Sequence, residues 1–106
     1  MSVNCWKDKT DFEINKLVGE SLGLDLSGIN EEINRMYDSV KDYCNDPSRA
    51  WPIMMENNIS IRLRNGMFKN ESYCNPIARN DNVWHSDKNA LRAAMIVFLK
   101  LKGVKP

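Results

Sequence analysis

Histidine, paired cysteines and long apolar runs are scarce in this sequence, and each shortage excludes a class of protein. The 106 residues include one histidine and three cysteines, and no two cysteines form a C-x-x-C pair. The common zinc sites therefore lack their ligands, and we expect neither a metal nor another cofactor. No apolar run approaches the roughly 20 residues that a membrane-spanning helix requires.

The N-terminal residues and the cysteines together indicate the compartment. The segment MSVNCWKDKTDFEINK is polar and lacks the apolar core of a signal peptide. Cys5, Cys44 and Cys74 are odd in number and far apart, which suits free thiols in a reducing environment. We therefore expect a cytoplasmic protein with no membrane contact.

Charge is balanced overall but unevenly distributed along the chain. The net charge of +1 argues against a strong global attraction to nucleic acid. Residues 1–45 hold five basic and nine acidic side chains, a net −4, whereas residues 46–106 hold ten basic and five acidic ones, a net +5. Opposite net charges in the two halves suit electrostatic attraction within one chain or between two copies of it. The possibility that the basic half contacts nucleic acid stays open.

Capping signals and apolar spacing predict two helices near the N-terminus. Thr10 and Glu13 form a capping box, and the helical stripe that follows ends at Gly23. A second helix is predicted over residues 31–44, with a strand over residues 39–44 as the alternative. The outward positions of the first helix are expected to be Asn15, Lys16, Gly19 and Glu20.

A third helix is predicted after Asp46, which suits the N-cap position and is followed by a proline at the first helical position. Its apolar face is expected to bury Trp51, Met54 and Met55, and Pro52 to shorten or kink the helix. In the alternative interpretation these side chains form a surface for a protein partner, with Trp51 and Met55 as its contacts.

The apolar period changes from helical to alternating in the next segment. Alternation from Ile59 to Leu63 predicts a half-buried strand. Asn65-Gly66 is a strong hairpin signal, so a return strand is expected over residues 67–74. A loop is predicted over residues 77–82, and a short third strand at Val83–His85.

The last predicted helix begins near Ser86 or Asp87 and ends at Gly103, with apolar residues around nearly its whole circumference. Such a helix is buried on more than one side, against a sheet and other helices or against a second copy of the chain. We therefore predict a homo-oligomer. The elements define one α+β domain over residues 1–106, with three to four helices on a small antiparallel sheet and residues 1–9 as a disordered segment.

Trp84 and His85 form the first candidate site. An indole beside an imidazole suits a nucleotide whose base is stacked and hydrogen-bonded at its edge, and the N-terminus of the last helix would stabilise a nearby phosphate. The alternative is that Trp84 fills the core while His85 caps the helix or faces solvent.

Arginines form the second candidate site. Arg62 and Arg64 share one face of the first predicted strand, and Arg79 in the following loop is able to join them. Guanidinium groups bind phosphate in a bidentate manner. Alternatively, these charges are solvated and protect an exposed strand from aggregation.

No catalytic residue is predicted. Cys74 and His85 are the only cysteine and histidine close enough in sequence to be considered as a nucleophile and its base. No orienting acid or oxyanion motif accompanies them. Asp46 is better explained as an N-cap than as the partner of Asp42 in a pair of carboxylates. The sequence contains no glycine-rich phosphate loop. We therefore predict a protein that is not an enzyme.

Three segments carry a family resemblance. They are TDFEINKLVGESLG, DYCNDPSRAWPIMMENNISI and WHSDKNALRAAMIVFLKLK, which together make up about half of the chain. With these segments the chain resembles the NinX-like family of lambdoid phages and prophages, a family without an assigned function. In that family a proline commonly stands at the position of Ala90, and the region from Asn65 to Asn82 is often longer. The resemblance implies a phage or prophage accessory protein in the bacterial host cytoplasm, and it brings no catalytic residues.

The leading hypothesis is a non-enzymatic accessory protein that acts by binding. In its sharper form, this protein is a host-defence antagonist that sequesters a small nucleotide signal or a host protein. The alternative is a nucleic-acid-binding factor in phage replication or recombination, for which the basic half of the chain is the argument. A third hypothesis is an interaction protein whose partner docks at Trp51.

Overall fold

The computed structural model describes residues 6–62 and 75–106. Within these residues, four helices and three antiparallel strands confirm the α+β class. The elements are α1 (Asp11–Ser21), α2 (Glu31–Tyr37), α3 (Pro47–Glu56), β1 (Ser60–Arg62), β2 (Ile77–Asn80), β3 (Val83–Ser86) and α4 (Ala90–Leu101), preceded by a 3-10 turn at Trp6–Asp8. The hairpin expected at Asn65-Gly66 and the return strand over residues 67–74 lie outside the described residues.

The sheet has the strand order β1-β2-β3, and both strand pairs are antiparallel. β2 lies in the middle, so the loop predicted over residues 77–82 was wrong. Arg79 is accepted in this central strand because its side chain projects from the face opposite α4 and is exposed. The actual turn is the two-residue loop Asp81-Asn82 between β2 and β3. β3 confirms the short third strand.

α4 lies between the sheet and the other helices and forms the centre of the core. It contacts all three strands as well as α1 and α3, and every side chain from Arg92 to Leu99 is buried. The apolar circumference that motivated the homo-oligomer prediction is therefore covered within one chain. Self-association stays a prediction, without support from this helix.

The N-terminus of α4 begins later than the sequence indicated. Its N-cap is Asn89, whose side-chain oxygen accepts hydrogen bonds from the amides of Leu91 and Arg92 at 3.0 and 3.2 Å. Ser86 and Asp87 were expected at this position. Ser86 instead ends β3, and the carboxylate of Asp87 binds the side chain of Arg92 at 3.0 Å.

The capping box of α1 is confirmed. Thr10 Oγ1 accepts a hydrogen bond from the Glu13 amide at 3.1 Å, and the Glu13 carboxylate accepts one from the Thr10 amide at 2.9 Å. Gly23 follows the helix with a φ of 96°, which a glycine adopts at little cost.

The outward face of α1 was predicted wrongly at Asn15 and Gly19, which are both buried. Asn15 is buried because it hydrogen-bonds to the chain between α2 and α3. Gly19 is buried because Leu26 packs on it so closely that a Cβ atom would lie 2.6 Å from Leu26 Cδ1.

α2 ends at Tyr37, and neither the longer helix nor the alternative strand forms over residues 39–44. Asp38 adopts a left-handed conformation with φ 49° and ψ 45°. The Val40 amide then donates to Asn34 Oδ1 at 2.6 Å, which turns the chain away from the helix axis.

α3 begins after its predicted N-cap Asp46 and continues past Pro52 to Glu56. Met54 is buried, but Trp51 and Met55 are 58% and 63% exposed, so their predicted burial was wrong. Only one side of α3 faces α4, and residues four positions apart share the other side.

Candidate functional site

One side of the sheet is covered by α4, and Arg62, Arg79 and Trp84 are exposed on the other side. The register places Ser60, Arg79 and Trp84 in one row across the three strands. Arg62 is two residues from Ser60 on β1 and therefore projects from the same side. We call this surface the outer face; it consists of Ser60, Arg62, Ile77, Arg79, Trp84 and Ser86.

Trp84 is the large aromatic side chain of the outer face and is 62% exposed. The alternative in which it fills the core is therefore wrong. Arg79 is its direct cross-strand neighbour, and Cβ atoms of such pairs are about 5 Å apart. An exposed indole thus lies beside a guanidinium group, which is a combination that suits a planar, anionic ligand.

The outer face carries positive charge. Arg62 and Arg79 are exposed, and neither forms an ion pair with a carboxylate in the part of the chain that the structure describes. Arg79 Nη2 donates a long hydrogen bond of 3.5 Å to the carbonyl oxygen of Asp81. Arg64, the third predicted arginine, lies outside the described residues.

The structure separates His85 from Trp84. Consecutive residues of a strand project to opposite sides of a sheet, and His85 lies opposite Ala78 in the register, on the side that α4 covers. The two rings therefore do not form the joint stacking and hydrogen-bonding surface that the dipeptide suggested. They meet only at the edge of β3, where both line one cleft.

His85 accepts a hydrogen bond from Lys100, whose Nζ lies 3.4 Å from His85 Nδ1. Because an ammonium group only donates, Nδ1 must accept and the ring proton must reside on Nε2. Burial, followed by the charge of Lys100, lowers the pKa of His85 to about 4. His85 is therefore uncharged at neutral pH. Its Nε2 is buried without a hydrogen-bond partner among the described residues.

A cleft of about 590 Å³ runs along the outer edge of β3, the edge that pairs with no other described strand. Lys100 of α4 reaches it and donates to the carbonyl oxygen of Trp84 at 3.1 Å, while Lys7 is supplied by the N-terminal 3-10 turn. We call this site the edge cleft; it is lined by Lys7, Asn82, Val83, Trp84, His85, Ser86 and Lys100.

Arg92 fastens the N-terminal turn to α4. Its guanidinium donates to Asp11 Oδ1 at 2.6 Å and to Asp87 Oδ2 at 3.0 Å. It also donates to the carbonyl oxygens of Trp6 and Lys9. Burial lowers the pKa of Arg92, but the hydrogen bonds and charges of Asp11 and Asp87 outweigh it and raise this pKa. Trp6, in the segment predicted to be disordered, is 7% exposed.

Two asparagines tie the chain between α2 and α3 to the core. Asn15 Nδ2 donates to Asp42 Oδ1 at 3.0 Å, and Asn15 Oδ1 accepts from the Cys44 amide at 2.9 Å. Asn89 Nδ2 donates to the Cys44 carbonyl oxygen at 2.8 Å. The Asp42 side chain thus accepts structural hydrogen bonds. Asp46 is the N-cap of α3, and its side chain accepts a hydrogen bond from the Ser48 amide.

Nucleophiles and metal ligands do not converge in the described part of the chain. Cys44 is buried, and burial raises its pKa to about 12, which disfavours the reactive thiolate. Cys5, Cys74 and therefore the pairing of Cys74 with His85 lie outside the described residues. Over residues 6–62 and 75–106, no group of three His, Cys, Asp or Glu side chains is placed to hold a metal ion. No helix in those ranges is long and apolar enough to cross a membrane.

Trp51 and Met55, the predicted partner contacts, lie one helical turn apart on the exposed side of α3. They form an apolar pair that does not line the edge cleft.

Sequence reasoning missed Lys7, Lys100 and Arg92. An arginine within an otherwise apolar helix was a usable signal, because a buried guanidinium requires carboxylate partners. No comparable signal existed for Lys7 and Lys100, which are near opposite ends of the chain and meet only through tertiary packing.

The fold and the outer face define a small α+β protein with an open sheet surface that is both aromatic and basic. A family model described as Bacteriophage P22, NinX matches residues 7–102. Because this match covers nearly the whole chain, the protein belongs to the NinX family of phage proteins, and the resemblance is confirmed. No curated protein and no solved structure is significantly similar to this chain.

Proposed function

We propose that this protein is a phage accessory protein that binds a small nucleotide in the host cytoplasm, with the base stacked on Trp84. The observation that carries the proposal is the placement of Trp84 beside Arg79 on the sheet face opposite α4, where both side chains are exposed. A base stacked on an aromatic side chain contributes roughly 1–3 kcal/mol, and an adjacent guanidinium binds phosphate or a base edge. Membership in a phage family supports a role during infection.

The size of the outer face favours a ligand of one or two nucleotides. Three strands lie about 4.8 Å apart and their residues rise about 3.3 Å each, so strands of three to four residues give a surface of roughly 10 by 13 Å. On this surface, Trp84 is the one exposed aromatic side chain of the described residues. A single stacked base with its sugar fills such an area.

Sequestration is the activity that this arrangement serves most directly. Removing a nucleotide signal from solution requires tight binding and no bond-breaking chemistry. A phage protein that holds a signalling nucleotide of the host would antagonise the defence response that the signal activates.

A ligand screen with matched tryptophan variants tests the proposal. The ligands are nucleoside monophosphates, cyclic mono-, di- and trinucleotides and short oligonucleotides. At about 100 times its dissociation constant a ligand adds roughly 2.7 kcal/mol, which raises the melting temperature by on the order of ten degrees for a domain of this size. Trp84→Ala should abolish the shift. Trp51→Ala removes a similarly exposed indole from α3 and should retain the shift in melting temperature. A flat screen, or equal losses in both variants, contradicts the proposal.

The second candidate is a single-stranded nucleic-acid-binding protein. It is favoured by the same open sheet, since aromatic and arginine side chains on an exposed sheet are a common platform for single strands. It predicts an affinity that rises with oligonucleotide length and falls steeply with salt. Oligonucleotide binding much tighter than mononucleotide binding, with that salt dependence, would select this candidate over the first.

A further inference from the structure

We infer that the edge cleft is the subsite for a phosphate group of the ligand, so that the protein selects nucleotides over nucleosides. The inference rests on the proposed function, because it takes the base to be stacked on Trp84, which belongs to both the outer face and the edge cleft. The cleft volume of about 590 Å³ falls within the range of small-molecule sites.

Lys100 supplies a positive charge that the described residues do not neutralise. Its Nζ contacts the carbonyl oxygen of Trp84 and Nδ1 of His85, and both acceptors are uncharged. No carboxylate in the described ranges lies within ion-pair distance of it. Burial lowers the pKa of Lys100, which reflects the cost of an ammonium group withdrawn from water without a counter-ion. An anion in the edge cleft would supply that counter-ion.

The ammonium group also retains one donor that has no partner among the described residues. It carries three N–H bonds, and two of them are directed at Trp84 and His85. These two contacts hold Lys100 in one place, so the third N–H is available without a further loss of side-chain freedom. His85 contributes no charge of its own, since it is neutral, and its role is to position Lys100.

Lys7 brings a second positive charge from a separate element. It lies on the 3-10 turn, which Arg92 fixes through the carbonyl oxygens of Trp6 and Lys9. The charged side chains that line the edge cleft are Lys7 and Lys100, and no carboxylate of the described residues lines it. Two cations from different elements that converge on one cleft favour a group with several anionic oxygens, which is the chemistry of phosphate.

The position of the edge cleft relative to Trp84 matches the build of a nucleotide. The sugar separates the base from the phosphate, so a base on Trp84 extends its phosphate around the edge of β3. Asn82 and Ser86 add polar side chains along this path. A nucleoside would gain the stacking contact but supply no anionic partner to either lysine.

Calorimetric titration of the folded protein at about 0.15 M ionic strength, where the Debye length is about 8 Å, tests the inference. The probes are the four nucleoside 5′-monophosphates, their 3′,5′-cyclic diesters, the four nucleosides and pyrophosphate. Charge-assisted hydrogen bonds imply at least a tenfold preference for nucleotide over nucleoside, at about 1.4 kcal/mol per tenfold change. Lys7→Met and Lys100→Met should each remove most of that preference without weakening nucleoside binding. Lys105→Met, which removes an exposed charge away from the cleft, should leave it unchanged.

The outcomes separate this inference from the proposed function. Equal affinities for nucleotides and nucleosides, unaffected by the lysine variants, would overturn the phosphate subsite and leave the Trp84 proposal standing. If pyrophosphate is the only probe that binds and Lys100→Met abolishes this binding, the edge cleft is still assigned as a phosphate site, but the proposal that a base stacks on Trp84 is contradicted. Failure of every probe overturns both. Lys7 is exposed on its turn, so Lys7→Met remains informative if Lys100→Met melts early.

Discussion

Arg92 offers a quantitative test of the packing described above, because one side chain joins α4 to α1 and to the N-terminal turn. Arg92→Met preserves most of the apolar stem and removes the guanidinium group with its four hydrogen bonds. Among the described residues, Asp87, whose side chain is 17% exposed, would keep only the bond from the Asn89 amide. The buried carbonyl oxygen of Trp6 would lose its side-chain donor.

The expected cost follows from these partners. Removing one member of a buried ion pair destabilises a protein by about 3–5 kcal/mol. Asp11 is 45% exposed and is solvated once Arg92 is gone, so the lower end, about 3 kcal/mol, applies. At about 4–8 °C per kcal/mol for a domain of this size, that loss lowers the melting temperature by about 12–24 °C.

Urea denaturation followed by circular dichroism measures this cost directly. The matched control is Arg49→Met, since Arg49 and Asp46 are 3.9 Å apart and both are about half exposed. Such a surface pair contributes less than about 1 kcal/mol. If the two variants lose the same free energy of unfolding, the role assigned to Arg92 is refuted.

Titration, thiol reactivity and one buried amide give three further predictions. The folded pKa of His85 is about 4, against an ordinary 6.5. As the pH falls, His85 is therefore protonated in the unfolded chain at a higher pH than in the folded protein, which favours unfolding. Unfolding free energy should drop between pH 7 and 5 by about 1 kcal/mol, after a discount for partial exposure; a His85→Gln protein with the same pH profile would contradict this. N-ethylmaleimide should leave Cys44 unlabelled in the folded protein at pH 7.5 and label it in urea, as peptide mass mapping would reveal, and rapid native labelling would refute its burial. Asn15→Ala should cost about 2 kcal/mol in thermal melts, because Asp42 and the Cys44 amide lose their partner, whereas a neutral result would show that water replaces it.

Signals contained within a few residues were predictable from the sequence. The Thr10–Glu13 capping box and the Asp46 N-cap depend on neighbours up to three positions away, and both form as expected. The strand β2 was not predictable from its own composition. It exists because β1 and β3 pair with it and because its Arg79 side projects into solvent.

The candidate site shows the same division. Trp84 and Arg79 were identified individually, but only the β2–β3 register brings them side by side. Strand alternation, which a correct β3 assignment already implies, separates His85 from Trp84. The partners of Arg92 and Lys100 are supplied by segments distant in the sequence, so the roles of these two side chains required the three-dimensional structure.

The location of α4 along the chain has a consequence for biosynthesis. α4 follows every element that packs on it, so α1, α3 and the sheet have no core to bury their apolar sides against until translation has passed Leu101. The Arg92 bond to Trp6 joins positions 86 residues apart, a separation that slows folding and delays closure of the N-terminal turn. A chain truncated before α4 would therefore leave the apolar sides of these elements exposed, which favours aggregation and proteolysis.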